Sequence, residues 1–188
     1  MTDTITTSFQ IVAASPSDRM VWWNSNNHNC HVLNVDGSCL GTPIRAGFGG
    51  VIRNMAGFYL SGFSSYIPNS SDILFAELTA IHRGLLLAME MRIEEMACYS
   101  DSLLSIRLIT DQASKFHTYA VLFQDIKDLL SSRNYSIQHC LREENHCADF
   151  MVKIGASSIE DFSTHATPPN NLLTMLRNDA METFFPKA

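Results

Sequence analysis

Four acidic side chains have the type and the placement to do chemistry: Asp36, Glu77, Asp101 and Asp149. Asp36 lies inside a predicted strand, where a charge is costly unless something pairs it. Glu77 lies on the stripe of apolar and small residues of a predicted helix, the stripe that should face a sheet. Because each of these two interrupts a face that should be apolar, we interpret both as pointing inward.

The other two acids lie at the ends of predicted elements. Asp101 directly follows a predicted strand, and the carboxyl ends of strands commonly carry function in α/β sheets. Asp149 falls in the first turn of the last predicted helix. Each also has a purely structural interpretation, since Asp101 could cap the next helix and the helix dipole could favour Asp149.

Four carboxylates on four separate elements predict a cage of oxygen ligands if the fold brings them together. Oxygen ligands of this kind select Mg²⁺ or Mn²⁺ over zinc. A second group of metal-ligand types, His28, Cys30 and His31, lacks partner ligands at the spacing of zinc sites. We therefore expect one centre for hard divalent cations, built from the four acids.

The composition is that of a globular domain, with 188 residues of which 46% are hydrophobic and 17% charged. The net charge of -6 gives no sign of the basic face typical of nucleic-acid binding. No run of about 18 apolar residues predicts a membrane span, and the first residues do not resemble a secretory signal. The five cysteines form no Cys-x-x-Cys pair, which is typical of reduced thiols. We expect an intracellular monomer, in the nucleus or cytoplasm and not secreted.

The predicted elements follow the order β-β-β-α-β-α-α-β-α. The strands are predicted at residues 31–38, 48–53, 58–63, 96–100 and 135–140, and the helices at 70–91, 102–111, 119–131 and 145–156. Three antiparallel strands followed by strand–helix alternation predict an α/β fold, with a mixed five-stranded sheet and helices on both faces. We divide the chain into a polar N-terminal tail or linker (1–30), one domain (31–157) and a C-terminal tail with a short helix (158–188).

Four segments of the chain resemble, in order, the motifs of type I ribonuclease H. They read NVDGSCLG at 34–41 with AGFGG at 46–50, AELTAIHRGL at 76–85, YSDS at 99–102, and HCLREENHCAD at 139–149. The match is closer to the plant branch, which is found at the end of non-LTR retroelement reverse transcriptases and as free-standing relatives. The resemblance implies the ribonuclease H-like fold and cleavage of the RNA strand of RNA–DNA hybrids.

The resemblance also implies a role for each matching residue. The metal-binding and catalytic carboxylates would be Asp36, Glu77, Asp101 and Asp149, holding two Mg²⁺ ions for which Mn²⁺ can substitute. His139 would assist proton transfer or product release. The turn that lies against the RNA sugars would contribute Gly37, Ser38, Cys39 and Thr42, where Thr42 replaces a common Asn. A reverse transcriptase or another module could hold the substrate, since a basic binding insertion is missing.

Two other functions remain open at the level of the sequence. One is a catalytically silent, retroelement-derived relative that serves as a nucleic-acid-binding or assembly module, which the acidic composition would fit. The other is a 3′–5′ exonuclease of related fold. Those enzymes pair the first aspartate with a glutamate two positions later, and that position is Ser38 here.

Overall fold

The computed structural model describes residues 20–21, 29–111, 117–159, 161–180 and 185–186, so most of the predicted N-terminal tail lies outside the described residues. The strands are β1 (Met20–Val21), β2 (His31–Leu40), β3 (Arg45–Arg53), β4 (Tyr59–Ile67), β5 (Glu95–Ser100), β6 (Asn134–His139), β7 (Ser163–His165) and β8 (Phe185–Pro186). The helices are α1 (Ile73–Glu90), α2 (Leu103–Thr110), α3 (Ala120–Ser132), α4 (His146–Ser157) and α5 (Asn170–Ala180). None of the helices in these ranges is long and apolar enough to span a bilayer.

Six strands form one mixed sheet in the order β6-β5-β2-β3-β4-β7, and β1 pairs separately with β8. Strands β2, β3 and β4 form an antiparallel meander, β5 lies parallel to β2, and β6 lies parallel to β5. The predicted α/β class and its five strands are therefore confirmed. The sixth strand is β7, which pairs antiparallel with β4 in a segment predicted to be a tail. Its three residues are too few to show the alternation by which a strand is predicted.

The two faces of the sheet carry different helices, because successive side chains of a strand point to opposite faces. Helices α1, α2 and α3 cover the face that carries Leu33 and Phe48. Helices α4 and α5 cover the other face, where Val51 packs with Met151 and Leu172. Full burial of each large apolar side chain contributes about 1.5–3 kcal/mol, so both helical layers are held mainly by these contacts.

Two glycines let the helices approach the strands closely. A Cβ atom at Gly37 of β2 would lie 2.3 Å from the carbonyl carbon of Ala76 and from the nitrogen of Glu77 in α1. A Cβ atom at Gly49 of β3 would lie 2.8 Å from the carbonyl carbon of Met151 in α4. The helices therefore rest on the strand backbone on either side of Asp36, whose partner across the β2–β3 ladder is Gly49.

The starts of the first two helices are fixed by side-chain caps. The carboxylate of Asp72 accepts a hydrogen bond from the N–H of Phe75 (3.0 Å) at the start of α1. The hydroxyl of Ser102 accepts one from the N–H of Ser105 (3.4 Å) at the start of α2. Because Ser102 caps α2, capping does not explain the presence of Asp101.

Candidate active site

Three of the four predicted acids converge on one point. The side chains of Asp36, Glu77 and Asp101 each offer a carboxylate oxygen, and these oxygens all lie within 4.8 Å of one another. Strands β2 and β5 are parallel neighbours with Val35 opposite Ser100, so the residues that follow this pair, Asp36 and Asp101, lie side by side. The close contact of α1 with β2 brings Glu77 to the same place.

Asp36 is buried and lies in a negative environment. Burial raises its pKa, and the charges of Asp101 and Asp149 raise it further, to about 7. The N–H of Gly37 and the guanidinium of Arg142 lower the pKa but do not offset these effects. Without a cation in the site, Asp36 is therefore about half protonated at pH 7.

Glu77 is perturbed more strongly than Asp36. Burial and the charges of Asp36 and Asp101 raise its pKa to about 9, although a hydrogen bond from the N–H of Gly37 acts in the opposite direction. Its Oε2 atom is buried without a hydrogen-bond partner in the described part of the chain. A buried carboxylate oxygen normally has a partner, so this atom indicates a site for a ligand.

The site fits a hard divalent cation. Its three carboxylates offer oxygen ligands, which Mg²⁺ and Mn²⁺ prefer. A divalent cation would neutralise the mutual repulsion that raises the pKa values of Asp36 and Glu77, and would give a partner to the buried Oε2 of Glu77. The donor set and its electrostatics therefore match the metal that the sequence predicts.

Asp149 lies beside this group rather than within it. Its side chain is 28% exposed, and Lys153, one turn later on α4, places Nζ 2.5 Å from its Oδ2. Its charge nevertheless contributes to the raised pKa of Asp36. The structure thus brings three of the predicted ligands together and places the fourth at the edge of the site, paired with a lysine.

Asn145 is a residue of the site whose role the sequence did not reveal. It occupies the N-cap position of α4, where an asparagine side chain commonly caps the helix, but its side chain makes no cap hydrogen bond. Instead its Nδ2 donates to the carbonyl of Val35 (2.8 Å) and to Oδ1 of Asp101 (3.3 Å). Its Oδ1 accepts from Nδ2 of Asn34 (3.3 Å). An asparagine before a helix is compatible with either role, and only the packing of α4 on β2 decides between them.

His139 ends β6, where it pairs in register with Ser100 of β5. It therefore lies one strand away from Asp101, which follows Ser100. The residue is exposed to solvent. Its position is at the rim of the site, open to an incoming molecule.

The predicted sugar-contacting residues lie along the β2–β3 hairpin. Gly37 is buried under α1, while Ser38 and Cys39 are half-buried in the last part of β2. Thr42 is exposed in the turn that follows. That turn begins at Gly41, whose φ of 80° is favourable for a glycine. The hairpin thus leads from the carboxylates to an exposed loop.

Comparison with known proteins adds a family and a set of similar structures. A family model described as reverse transcriptase-like matches residues 34–155, a range that contains the four acids and His139. An Arabidopsis thaliana protein named "putative ribonuclease H protein" is 28% identical over 171 residues, which is 90% of this chain. The chain spans only 27% of the length of that relative.

Two of the similar solved structures match over most of their own length. A ribonuclease H1 isolated from compost by a metagenomic approach is 29% identical, with a TM-score of 0.59, and covers 69% of this chain and 96% of its own. A second structure of that ribonuclease H1, in complex with an RNA/DNA hybrid, is 27% identical over 67% of this chain and 96% of its own, again with a TM-score of 0.59. The chain therefore shares its fold with such proteins over about two thirds of its length.

Proposed function

The chain belongs to the reverse transcriptase-like family and contains a ribonuclease H-like domain, and on this basis we propose that it is a metal-dependent endoribonuclease that cleaves the RNA strand of RNA–DNA hybrids. The observation that carries the proposal is the convergence of Asp36, Glu77 and Asp101 within 4.8 Å, with a buried Glu77 oxygen that lacks a partner in the described part of the chain. A site built for a divalent cation in this fold supports phosphodiester hydrolysis.

The residues that would hold the metal are the three converging carboxylates, with Asp149 as the ligand at the edge. Divalent ions bound there would supply the activation of a water molecule and the stabilisation of the leaving oxygen of a phosphodiester. Carboxylates suit this task because they hold hard cations through oxygen. Mn²⁺ would substitute for Mg²⁺ on the same grounds.

The other residues of the site would orient groups and move protons. Asn145 holds Oδ1 of Asp101 in place and ties it to β2 through the carbonyl of Val35. His139, exposed at the rim, would take up and release the proton that accompanies cleavage or would assist the departure of the product. General acid–base assistance of this kind is typically worth about 10²–10⁴ in rate.

The hairpin residues would distinguish RNA from DNA. A protein makes this distinction by sensing the 2′-OH of the RNA strand. Backbone and side-chain groups between Gly37 and Thr42 extend from the carboxylates to the exposed turn, a course that supports contact with sugars next to the cleaved phosphate. The similar ribonuclease H1 whose structure contains an RNA/DNA hybrid supports this class of substrate.

The decisive experiment is incubation of the purified protein with an end-labelled RNA–DNA hybrid in Mg²⁺, in Mn²⁺ and in EDTA. Hybrid-dependent cleavage of the RNA strand is expected with either metal and not with EDTA. Single-stranded RNA, duplex RNA and duplex DNA of the same sequence are the substrate controls, and Asp36→Asn is the control for a contaminating nuclease. Hybrid binding without cleavage in either metal would instead support the catalytically silent module.

A further inference from the structure

A second buried cluster of charges lies at the start of α4, on the sheet face opposite α1. Its centre is Asp179 of α5, which is 1% exposed. Nη1 of Arg53 lies 2.9 Å from its Oδ2, and Nε2 of His146 lies 3.0 Å from its Oδ1. The thiol of Cys147 also donates to Oδ2 (3.4 Å). One carboxylate from α5 therefore joins the end of β3 to the first two residues of α4.

The segment that supplies Asp179 lies beyond the residues that the family model matches, which end at 155. It is nevertheless built into the domain. Strand β7 pairs with β4, and the hydroxyl of Tyr59 donates to the carbonyl of His165 (2.7 Å). Leu172 of α5 is fully buried against Val51 and Met151. Residues 161–180 therefore form part of the packed domain.

His146 links Asp179 to the turn that precedes α4. Its Nε2 faces the carboxylate of Asp179, and its Nδ1 lies 3.0 Å from the carbonyl oxygen of Glu143. Both partners are acceptors, so both ring nitrogens must carry a proton for both bonds to form. Burial alone would lower the pKa of His146, but a hydrogen bond to Asp179, followed by interactions with Cys147 and the charge of Asp179, raises it to about 10.

The same turn carries groups of the active site. The residue before His146 is Asn145, whose side chain points the other way and binds Val35 and Asp101. The carbonyl of Asn145 also accepts a hydrogen bond from the N–H of Asp149 (3.1 Å). One turn is thus held by Asp179 on one side, and on the other it contacts the carboxylate of Asp101 and the backbone of Asp149.

We propose that Asp179 is a positioning residue, which fixes the start of α4 through His146 and Arg53 and thereby sets the positions of Asn145 and Asp149. The catalytic consequence rests on the proposed function, while the effect on geometry and on metal affinity does not. Helix α5 would accordingly act on the site through the start of α4.

A metal site is the competing interpretation of this cluster. Ligand atoms of His146, Cys147 and Asp179 lie within 4.8 Å of one another, as those of a zinc site would. However, a histidine binds a metal only through an unprotonated nitrogen, whereas both ring nitrogens of His146 face hydrogen-bond acceptors. The guanidinium of Arg53 also lies against the carboxylate of Asp179. An ion cluster that anchors α5 therefore accounts for the close approach of these atoms without a metal.

The test compares Asp179→Asn with Leu172→Ala, its matched control. Both changes weaken the attachment of α5, but only Asp179→Asn alters the link to His146. Partners behind metal ligands are typically worth about 10–100-fold in affinity or activity. We expect Asp179→Asn to lower kcat about 10–100-fold with KM nearly unchanged, and Leu172→Ala to keep kcat within about threefold at a comparable loss of Tm. Asp179→Glu, which keeps the charge, is the second variant if the amide variant does not fold.

Two measurements do not depend on catalysis. Mg²⁺ titration followed by NMR should show about tenfold weaker binding in the Asp179 variants, together with a shifted side-chain amide signal of Asn145, and neither change in Leu172→Ala. If the wild type does not cleave hybrid, the proposed function fails while these readouts still test Asp179. Equal effects of the Asp179 and Leu172 changes, or stoichiometric zinc in the wild type that is lost with Asp179, would overturn the proposal.

Discussion

The side-chain amide of Asn145 lies 3.3 Å from Oδ1 of Asp101 and 2.8 Å from the carbonyl of Val35, so one buried group joins a carboxylate of the site to the backbone of the neighbouring strand. Asn145→Ala removes both bonds and should lower Mg²⁺ affinity and kcat by about 10–100-fold. Asn145→Asp keeps the shape of the side chain but adds a negative charge beside Asp101, and it should lower Mg²⁺ affinity and kcat at least as much. Asn54→Ala, in an exposed turn, is the control; equal kinetics for the two alanine variants would contradict a role for Asn145.

The charge of Asp36 should destabilise the metal-free protein. Its pKa is raised from 3.8 to about 7, so between these values the folded state binds more protons than the unfolded state, and the free energy of unfolding falls as pH rises. At pH 8 this loss is complete. In EDTA at this pH, the free energy of unfolding of Asp36→Asn should be about 1–3 kcal/mol higher than that of the wild type.

Denaturant unfolding at pH 4 and pH 8 measures this effect. The gain from Asp36→Asn should shrink toward zero at pH 4, and saturating Mg²⁺ should remove it at pH 8 by stabilising only the wild type. Asp111→Asn, at an exposed acid, is the control for a general effect of net charge. If Asp36→Asn is less stable than the wild type in EDTA at pH 8, then burial and the neighbouring negative charges do not destabilise the ionised form of Asp36.

Mg²⁺ binding should become tighter as pH rises. A metal must displace the protons that Asp36 and Glu77 hold, with pKa values of about 7 and about 9 in the metal-free site. Displacing about one proton predicts a tenfold gain in affinity for each pH unit between 7 and 8. Calorimetry in two buffers of different ionisation enthalpy counts the released protons; binding that releases none and does not vary with pH would contradict a site formed by these two groups.

His139 should assist the reaction without being required for it. His139→Ala should lower the rate of hybrid cleavage by about 10²–10⁴, as expected when a group that moves a proton is lost, and should leave Mg²⁺ affinity nearly unchanged because the side chain lies at the rim. His117→Ala serves as the control histidine. A single-turnover rate equal to that of the wild type would restrict His139 to the release of product.

The chain alone should bind hybrid weakly, with a shallow dependence on salt. Its net charge is -6 and it has 13 lysines and arginines, so few of them can contact phosphates together. Ca²⁺ should tighten binding by neutralising the carboxylates of the site, which would otherwise repel phosphate. Titration of the wild type in Ca²⁺ and in EDTA across a range of salt measures both effects. Tight binding in EDTA with a steep salt slope would reveal a basic surface that composition does not show.

The part of the site that the sequence predicts is the part that short-range patterns determine. Asp36 and Glu77 each interrupt an apolar pattern, and Asp101 follows a strand, so their inward placement can be read locally. Their meeting point depends on the parallel pairing of β2 with β5, which the order of the elements implies. The three acids could therefore be placed before their geometry was known.

What the sequence does not predict depends on contacts between distant residues. The alternatives for Asn145, a helix cap or a bond to β2, have the same local pattern and differ only in tertiary packing. Arg53 and Asp179 are far apart in the chain, and nothing near either residue indicates a buried ion pair. Strand β7 forms because the edge of β4 is available, and its own three residues carry no pattern.

The contact at Gly37 has a consequence for how the domain tolerates change. Helix α1 meets β2 there backbone to backbone, so the spacing between Asp36 and Glu77 is set by main-chain atoms and not by the size of any core side chain. Neutral drift in the surrounding apolar residues can therefore alter the stability of the domain while the spacing of the two carboxylates stays almost constant. Position 37 itself has no such latitude, because even a methyl group there would push the backbone of α1 away from β2.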